Sequence, residues 1–140
     1  MTRDLLHGPC RFYYSDGTLA VESFFDNGKR EGKACYYSKE GLLVKESNYK
    51  QGLLDGVQKY FQNGILASEF EMKEGKFDGK ILLYHPDGTV RREVNMKEGK
   101  RHGIDSLWDV YEGILFAFEY SEGAFVKAHI EDLVAKQYKL

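Results

Sequence analysis

Gly28-Lys29-Arg30-Glu31-Gly32 sets two glycines around three charged residues, and the spacing returns at Gly52–Gly56, Gly75–Gly79 and Gly99–Gly103. Successive first glycines stand 24, 23 and 24 residues apart. A fixed period of this length marks a chain of repeats, each a small unit that must stack on its neighbours to bury its apolar side. Five units follow, each opening on a glycine, at about 8–31, 32–55, 56–78, 79–102 and 103–123.

Each unit reads as a β-hairpin. A run of about five residues leads to a turn holding Gly17, Gly41, Gly64, Gly88 or Gly113, and a second run leads to the closing glycine at 28, 52, 75, 99 or 123. Asp16-Gly17, Asn63-Gly64 and Asp87-Gly88, set between aromatic and β-branched runs, are strong hairpin signals because these residues tolerate positive φ. The Gly-x-x-x-Gly pieces then read as return turns between hairpins. The expected fold is all-β: an elongated, single-layer antiparallel meander of about five stacked hairpins, on the order of 45 Å long at the usual strand spacing. Beyond Gly123, Ile130, Leu133, Val134 and Tyr138 fall at helical spacing, which predicts a short capping helix at about 128–139.

Stacking the units aligns columns. Tyr13, Tyr37, Phe61, Tyr84 and Trp108 each stand one residue after Phe12, Tyr36, Tyr60, Leu83 and Leu107. Neighbours along a strand face opposite ways, so both faces of the sheet carry aromatic rows. A carboxylate column, Glu22, Glu46, Glu69 and Glu93, runs through the second strands. It fits either a grip on a basic partner or internal pairing with Lys and Tyr hydroxyls.

Composition narrows the classes. The 140 residues suit one domain, and 14% are aromatic. A net charge of −2 lacks the basic footprint of a duplex nucleic-acid binder. No run of 18 apolar residues and no secretory leader is present in the sequence, and Cys10 and Cys35 form no metal or redox motif. These features lead to an expectation of free thiols in a cytoplasmic protein. Cys10 and Cys35 sit at different offsets in their units and are expected on opposite faces. His7, His85, His102 and His129 show no ligand spacing. Gly75–Lys80 is too short between its glycines, and lacks the Ser or Thr, for a phosphate loop. Lys29, Arg30, Lys33, Lys97, Lys100 and Arg101 gather at the return turns and are expected to line one rim, diluted by Glu31, Asp55, Asp78 and Glu98.

These motifs resemble the MORN repeat. The resemblance rests on Gly-Lys-x-x turns, an aromatic pair four and five residues after the opening glycine, an Asp/Asn/Glu-Gly turn, and Leu-x-x-Glu before the next aromatic. Gly32–Gly52 resembles the bacterial variant in particular. The resemblance implies a binding platform without catalysis or cofactor. It implies scaffolding, dimerisation or membrane attachment in eukaryotic members, and antitoxin or immunity proteins among small stand-alone bacterial ones. The first expectation is therefore an antitoxin-type protein that occludes a partner toxin through Tyr13, Tyr37, Phe61, Tyr84, Trp108, Glu22, Glu46, Glu69 and Glu93. The alternative is a peripheral scaffold touching membrane lipid or mediating assembly. A hydrolase with a site near Trp108 is the least favoured class.

Overall fold

A computed structural model describes residues 5–111 and 113–129. They form one open antiparallel sheet. Its strands are β1 Gly8–Tyr13, β2 Leu19–Asp26, β3 Lys29–Arg30, β4 Gly32–Tyr37, β5 Leu43–Lys50, β6 Leu53–Leu54, β7 Gly56–Gln62, β8 Ile65–Lys73, β9 Lys76–Tyr84, β10 Val90–Lys97, β11 Lys100–Arg101, β12 Gly103–Asp109, β13 Gly113–Ser121 and β14 Ala124–Ala128. The order across the sheet is β1-β2-β4-β5-β7-β8-β9-β10-β12-β13-β14, so each strand pairs with its chain neighbour. The short β3, β6 and β11 pair with β2, β5 and β10. The all-β meander is as expected. The helix expected at about 128–139 lies outside the described residues except at Ala128 and His129, and Ala128 ends β14.

The joints differ from the reading of Gly-x-x-x-Gly as one turn. Asn27 and Gly28 both have positive φ, as do Gln51-Gly52, Glu74-Gly75, Glu98-Gly99 and Glu122-Gly123. Each pair is the centre of a two-residue turn of the kind that matches strand twist. The chain re-enters the sheet at once: Lys29 and Arg30 already pair with Asp26 and Phe25. Glu31 then bulges out while its N–H still donates to the Phe24 carbonyl at 2.9 Å, and β4 continues. The acidic middle residues lace successive joints together. Gln51 N–H donates to Glu31 Oε2 at 2.8 Å, Glu74 N–H to Asp55 Oδ2 at 3.1 Å and Glu98 N–H to Asp78 Oδ2 at 3.3 Å. His102, which the sequence suggests is a solvated turn residue, takes the same role through Nδ1 for Glu122 N–H at 3.4 Å.

The joints also form a backbone ladder. Gly52 N–H donates to the Arg30 carbonyl and Gly123 N–H to the Arg101 carbonyl, both at 2.8 Å. Leu6 supplies the first rung by accepting from Gly28 N–H at 2.8 Å. The lead-in thus closes the array through its backbone, and Leu5 and Leu6 stay exposed.

Gln51 holds φ at 50° before Gly52, a region costly for a long L side chain. Asn27 fills the same place in the first joint. Gln51→Asn is expected to stabilise the fold by about 0.5–1 kcal/mol. The readout is a higher urea midpoint at unchanged slope.

The two faces of the sheet

Register assigns each side chain to a face, because cross-strand partners share one. One face carries the row Phe12, Val21, Tyr36, Lys45, Tyr60, Ser68, Leu83, Arg92, Leu107 and Phe116. Its central line is where most burial occurs: Ser23, Ala34, Ser47, Gln58, Val94 and Asp105 are all buried. In the first two units that line is small, Cys10 with Ser23 and Ala34 with Ser47, and the hydroxyls of Tyr36 and Tyr49 meet at the Arg30 guanidinium. Further along it is filled by Phe70, Ile81 and Phe118. Tyr60 stacks on Phe70 at 5.6 Å, and Phe116 on Phe118 at 4.6 Å.

The opposite face carries the row Arg11, Glu22, Cys35, Glu46, Lys59, Glu69, Leu82, Glu93, Ser106 and Ala117. The two cysteines fall on opposite faces, Cys10 opposite Ser23 and Cys35 opposite Glu22, and both are free.

Candidate functional site

The carboxylate face joins the two columns singled out in the sequence. Tyr84 donates its hydroxyl to Glu69 Oε1 at 2.5 Å, which puts the Tyr13–Tyr37–Phe61–Tyr84–Trp108 column beside the glutamates. Those glutamates are engaged within the chain. Glu22 pairs with Arg11 at 2.7 Å, Glu46 with Lys33 at 2.8 Å and Glu93 with Lys80 at 3.5 Å. Tyr13 is 59% exposed, while Tyr37, Phe61, Tyr84 and Trp108 are half-buried. The strand-end residue beyond this column ties units together. Tyr14 donates its hydroxyl to the Tyr37 carbonyl at 2.7 Å, and His85 Nε2 meets the Trp108 carbonyl at 2.9 Å.

Burial, with the Glu69 carboxylate beside the hydroxyl, pushes the Tyr84 pKa from 10.0 up to about 12. The folded value is raised, so this contribution to stability is complete below pH 10 and is lost as pH rises towards 12. A spectrophotometric titration of tyrosinate should show a late step that Tyr84→Phe removes, along with part of the alkaline loss of stability.

Among the described residues the cationic face holds four basic side chains: Arg30, Lys45, Arg92 and Arg101. Arg30 and Arg101, expected on the rim, therefore lie on this face of the sheet, and Lys33, also expected there, lies on the other face against Glu46. Arg30 donates from one terminal nitrogen to the hydroxyls of Tyr36 at 2.9 Å and Tyr49 at 3.0 Å. Arg101 lies over the Tyr120 ring at 5.1 Å. Gly-x-x-x-Gly reads in the sequence as all turn, whereas Arg30 and Arg101 belong to β3 and β11 and share a face with Phe25 and Met96. Arg92 grips Asp105 with two parallel bonds at 3.0 and 2.7 Å, and this hydrogen bonding raises the arginine pKa. Asp105 gave no sequence signal, since other units place Cys10, Ala34, Gln58 and Ile81 there.

Among the described residues no three His, Cys, Asp or Glu side chains gather as a metal would require. A cleft of about 290 Å³ between Gln62–Ala67 and Tyr84–Pro86 is at the small end for a ligand pocket. No helix among the described residues is long and apolar enough to cross a membrane.

A sheet of laced hairpins with a uniform strand register is a β-hairpin repeat array. Its units match two family models: the MORN repeat variant over residues 6–29 and 77–98, and the MORN repeat over residues 22–42. These matches cover residues 6–42 and 77–98 and support the MORN repeat there, and MORN repeats are generally protein- and membrane-binding modules. A comparison with curated proteins gives no match.

Proposed function

We propose that the chain is a non-enzymatic protein-binding module, an antitoxin or immunity protein of the cytoplasm, that occludes its partner's active site or groove. The observation that carries the binding reading is the single-layer sheet. Aromatic rows lie on both faces, with Phe12 54%, Tyr13 59% and Tyr60 38% exposed. Exposed Tyr at this density is typical of recognition surfaces. The Tyr13–Trp108 column and the glutamates beside it are the contact surface named from sequence. Glu22, Glu46 and Glu93 are already paired with cations of the chain and Glu69 accepts the Tyr84 hydroxyl, so a partner must displace those contacts or leave them intact. On the opposite face Asp105 pairs with Arg92, while Arg30 and Lys45 have no carboxylate within ion-pair distance among the described residues.

Co-expression with the product of an adjoining reading frame tests the proposal. A stable complex by size exclusion, with relief of that product's toxicity, supports it. Separate elution of the two proteins rejects the antitoxin reading. A peripheral scaffold is the second reading, carried by the exposed Lys29, Lys97 and Lys100 on the turn rim. Co-sedimentation with anionic vesicles, falling steeply with salt, would favour it.

A further inference from the structure

The two halves of the cationic face treat their charges differently. In the last two units Arg92 and Arg101 converge on Asp105, at 2.7 and 3.9 Å. Asp105 stands two residues after its opening glycine, and the corresponding places are Ala34 in the second unit and Gln58 in the third. Arg30 holds the place in its joint that Arg101 holds, two residues before an opening glycine. Lys45 holds the place that Arg92 holds, four residues after a turn glycine. Lys45 lies on β5, between the strands of Ala34 and Gln58. Arg30 and Lys45 therefore come from two successive clamp positions, the first holding Val21, Arg30 and Ala34 and the second Lys45, Leu54 and Gln58, and neither has an acid.

Among the described residues no carboxylate lies within ion-pair distance of Arg30 or Lys45. Both cations are nevertheless held in place. Arg30 lies over the Tyr49 ring at 5.3 Å and spends one nitrogen on the two tyrosine hydroxyls, leaving the rest of its fork for another acceptor. The Lys45 ammonium sits over the rings of Tyr36 at 4.8 Å and Tyr60 at 5.7 Å. Tyr36 stands between them, touching both.

We infer that this patch receives a carboxylate from outside the chain. The occupant is an acidic segment of a partner protein, with an Asp or Glu side chain seated over Tyr36 between Arg30 and Lys45. Two unpaired cations beside one ring call for an anion, and Asp105 with Arg92 shows that a carboxylate matches a cation of this face. Phe12 and Tyr60, exposed in the same cross-strand row, favour apolar residues beside the acid. The inference rests on the protein-binding reading and names the partner's chemistry.

The probe is a fluorescein-labelled peptide of alternating Glu and Leu, titrated with the full chain and followed by anisotropy. An alternating Lys and Leu peptide is the control. The Glu peptide should bind and the Lys peptide should not. Lys45→Met should weaken binding about tenfold, and Arg30→Met at least as much. Lys45 makes no hydrogen bond or ion pair among the described residues, so its variant costs the fold only its two ring contacts, and an unchanged urea midpoint checks that the fold is kept. Lys33→Met and Lys80→Met on the other face should change nothing. No binding of the Glu peptide, or equal binding by wild type and Lys45→Met, overturns the inference. So does binding to phosphatidylserine vesicles that Lys45→Met abolishes while the peptide fails to bind, since the patch would then be a lipid site. A complex with the adjoining-frame product that survives both substitutions sinks this inference alone. Separate elution from that product sinks the antitoxin reading and leaves the peptide result to stand.

Discussion

Asp105→Ala is expected to destabilise the sheet by about 2–4 kcal/mol, measured as a lower urea midpoint. The carboxylate side chain is only 3% exposed and holds Arg92 by two bonds, with Arg101 4 Å away. Breaking a buried pair by removing one partner costs about 3–5 kcal/mol, because the other charge is left uncompensated. Arg92 is 31% exposed and regains some water, which lowers the expectation. Asp105→Asn keeps the volume and one acceptor and should cost less than Asp105→Ala. In a repeat array the damage stays near the lesion. Hydrogen exchange should therefore quicken in β10, β12 and β13 before it does in β1 and β2. A midpoint equal to wild type would mean that desolvation of the ions cancels their attraction.

The glycine period, the hairpin turns and the order of strands were legible because each is a local backbone requirement repeated several times. Strand alternation also contains the shared face of Tyr84 and Glu69, since Glu69 pairs with Leu82, two residues before Tyr84. Arg30 was misplaced for a physical reason. Gln51, Glu74, Glu98 and Glu122 are poor residues for positive φ, so the true turn, one residue earlier than Gly-x-x-x-Gly suggests, was masked in four joints. Only Asn27-Gly28 states the turn openly. With the turn moved back, Lys29 and Arg30 become strand residues and the basic rim becomes partly a basic face. Asp105 was hidden differently: no pattern tells a buried, clamped aspartate from a solvated one, because the clamp joins residues from β10, β11 and β12. Likewise, the pairing of Glu22, Glu46 and Glu93 with Arg11, Lys33 and Lys80 was one of two readings that the column alone left open.

The second glycine of each joint was read as part of a turn, and Gly79 shows what such a glycine does instead. It lies within β9, at φ +111°, opposite the irregularity in β8 between Phe70 and Met72. A Cβ built there would come within 2.9 Å of the Glu71 Cβ, a distance that demands a shift of the strand itself. Gly79→Ala therefore combines two costs, backbone strain at positive φ and a side chain forced against the neighbouring strand. Together they should destabilise the protein by about 2–4 kcal/mol. Gly88→Ala separates the terms: at φ +90°, with open space around its Cβ, it should lose only about 1–2 kcal/mol of strain. Glu71→Gly in the Gly79→Ala background removes the obstructing Cβ and should recover the clash but not the strain. A double-mutant cycle would then give a favourable coupling of about 1–2 kcal/mol. If Gly79→Ala and Gly88→Ala cost the same and the cycle shows no coupling, the glycine serves only the backbone conformation. If the expected coupling is found, close approach between adjacent strands at the bulge also requires glycine there, and that approach sets the register in which β9 and β10 carry Leu83 and Arg92 on one face.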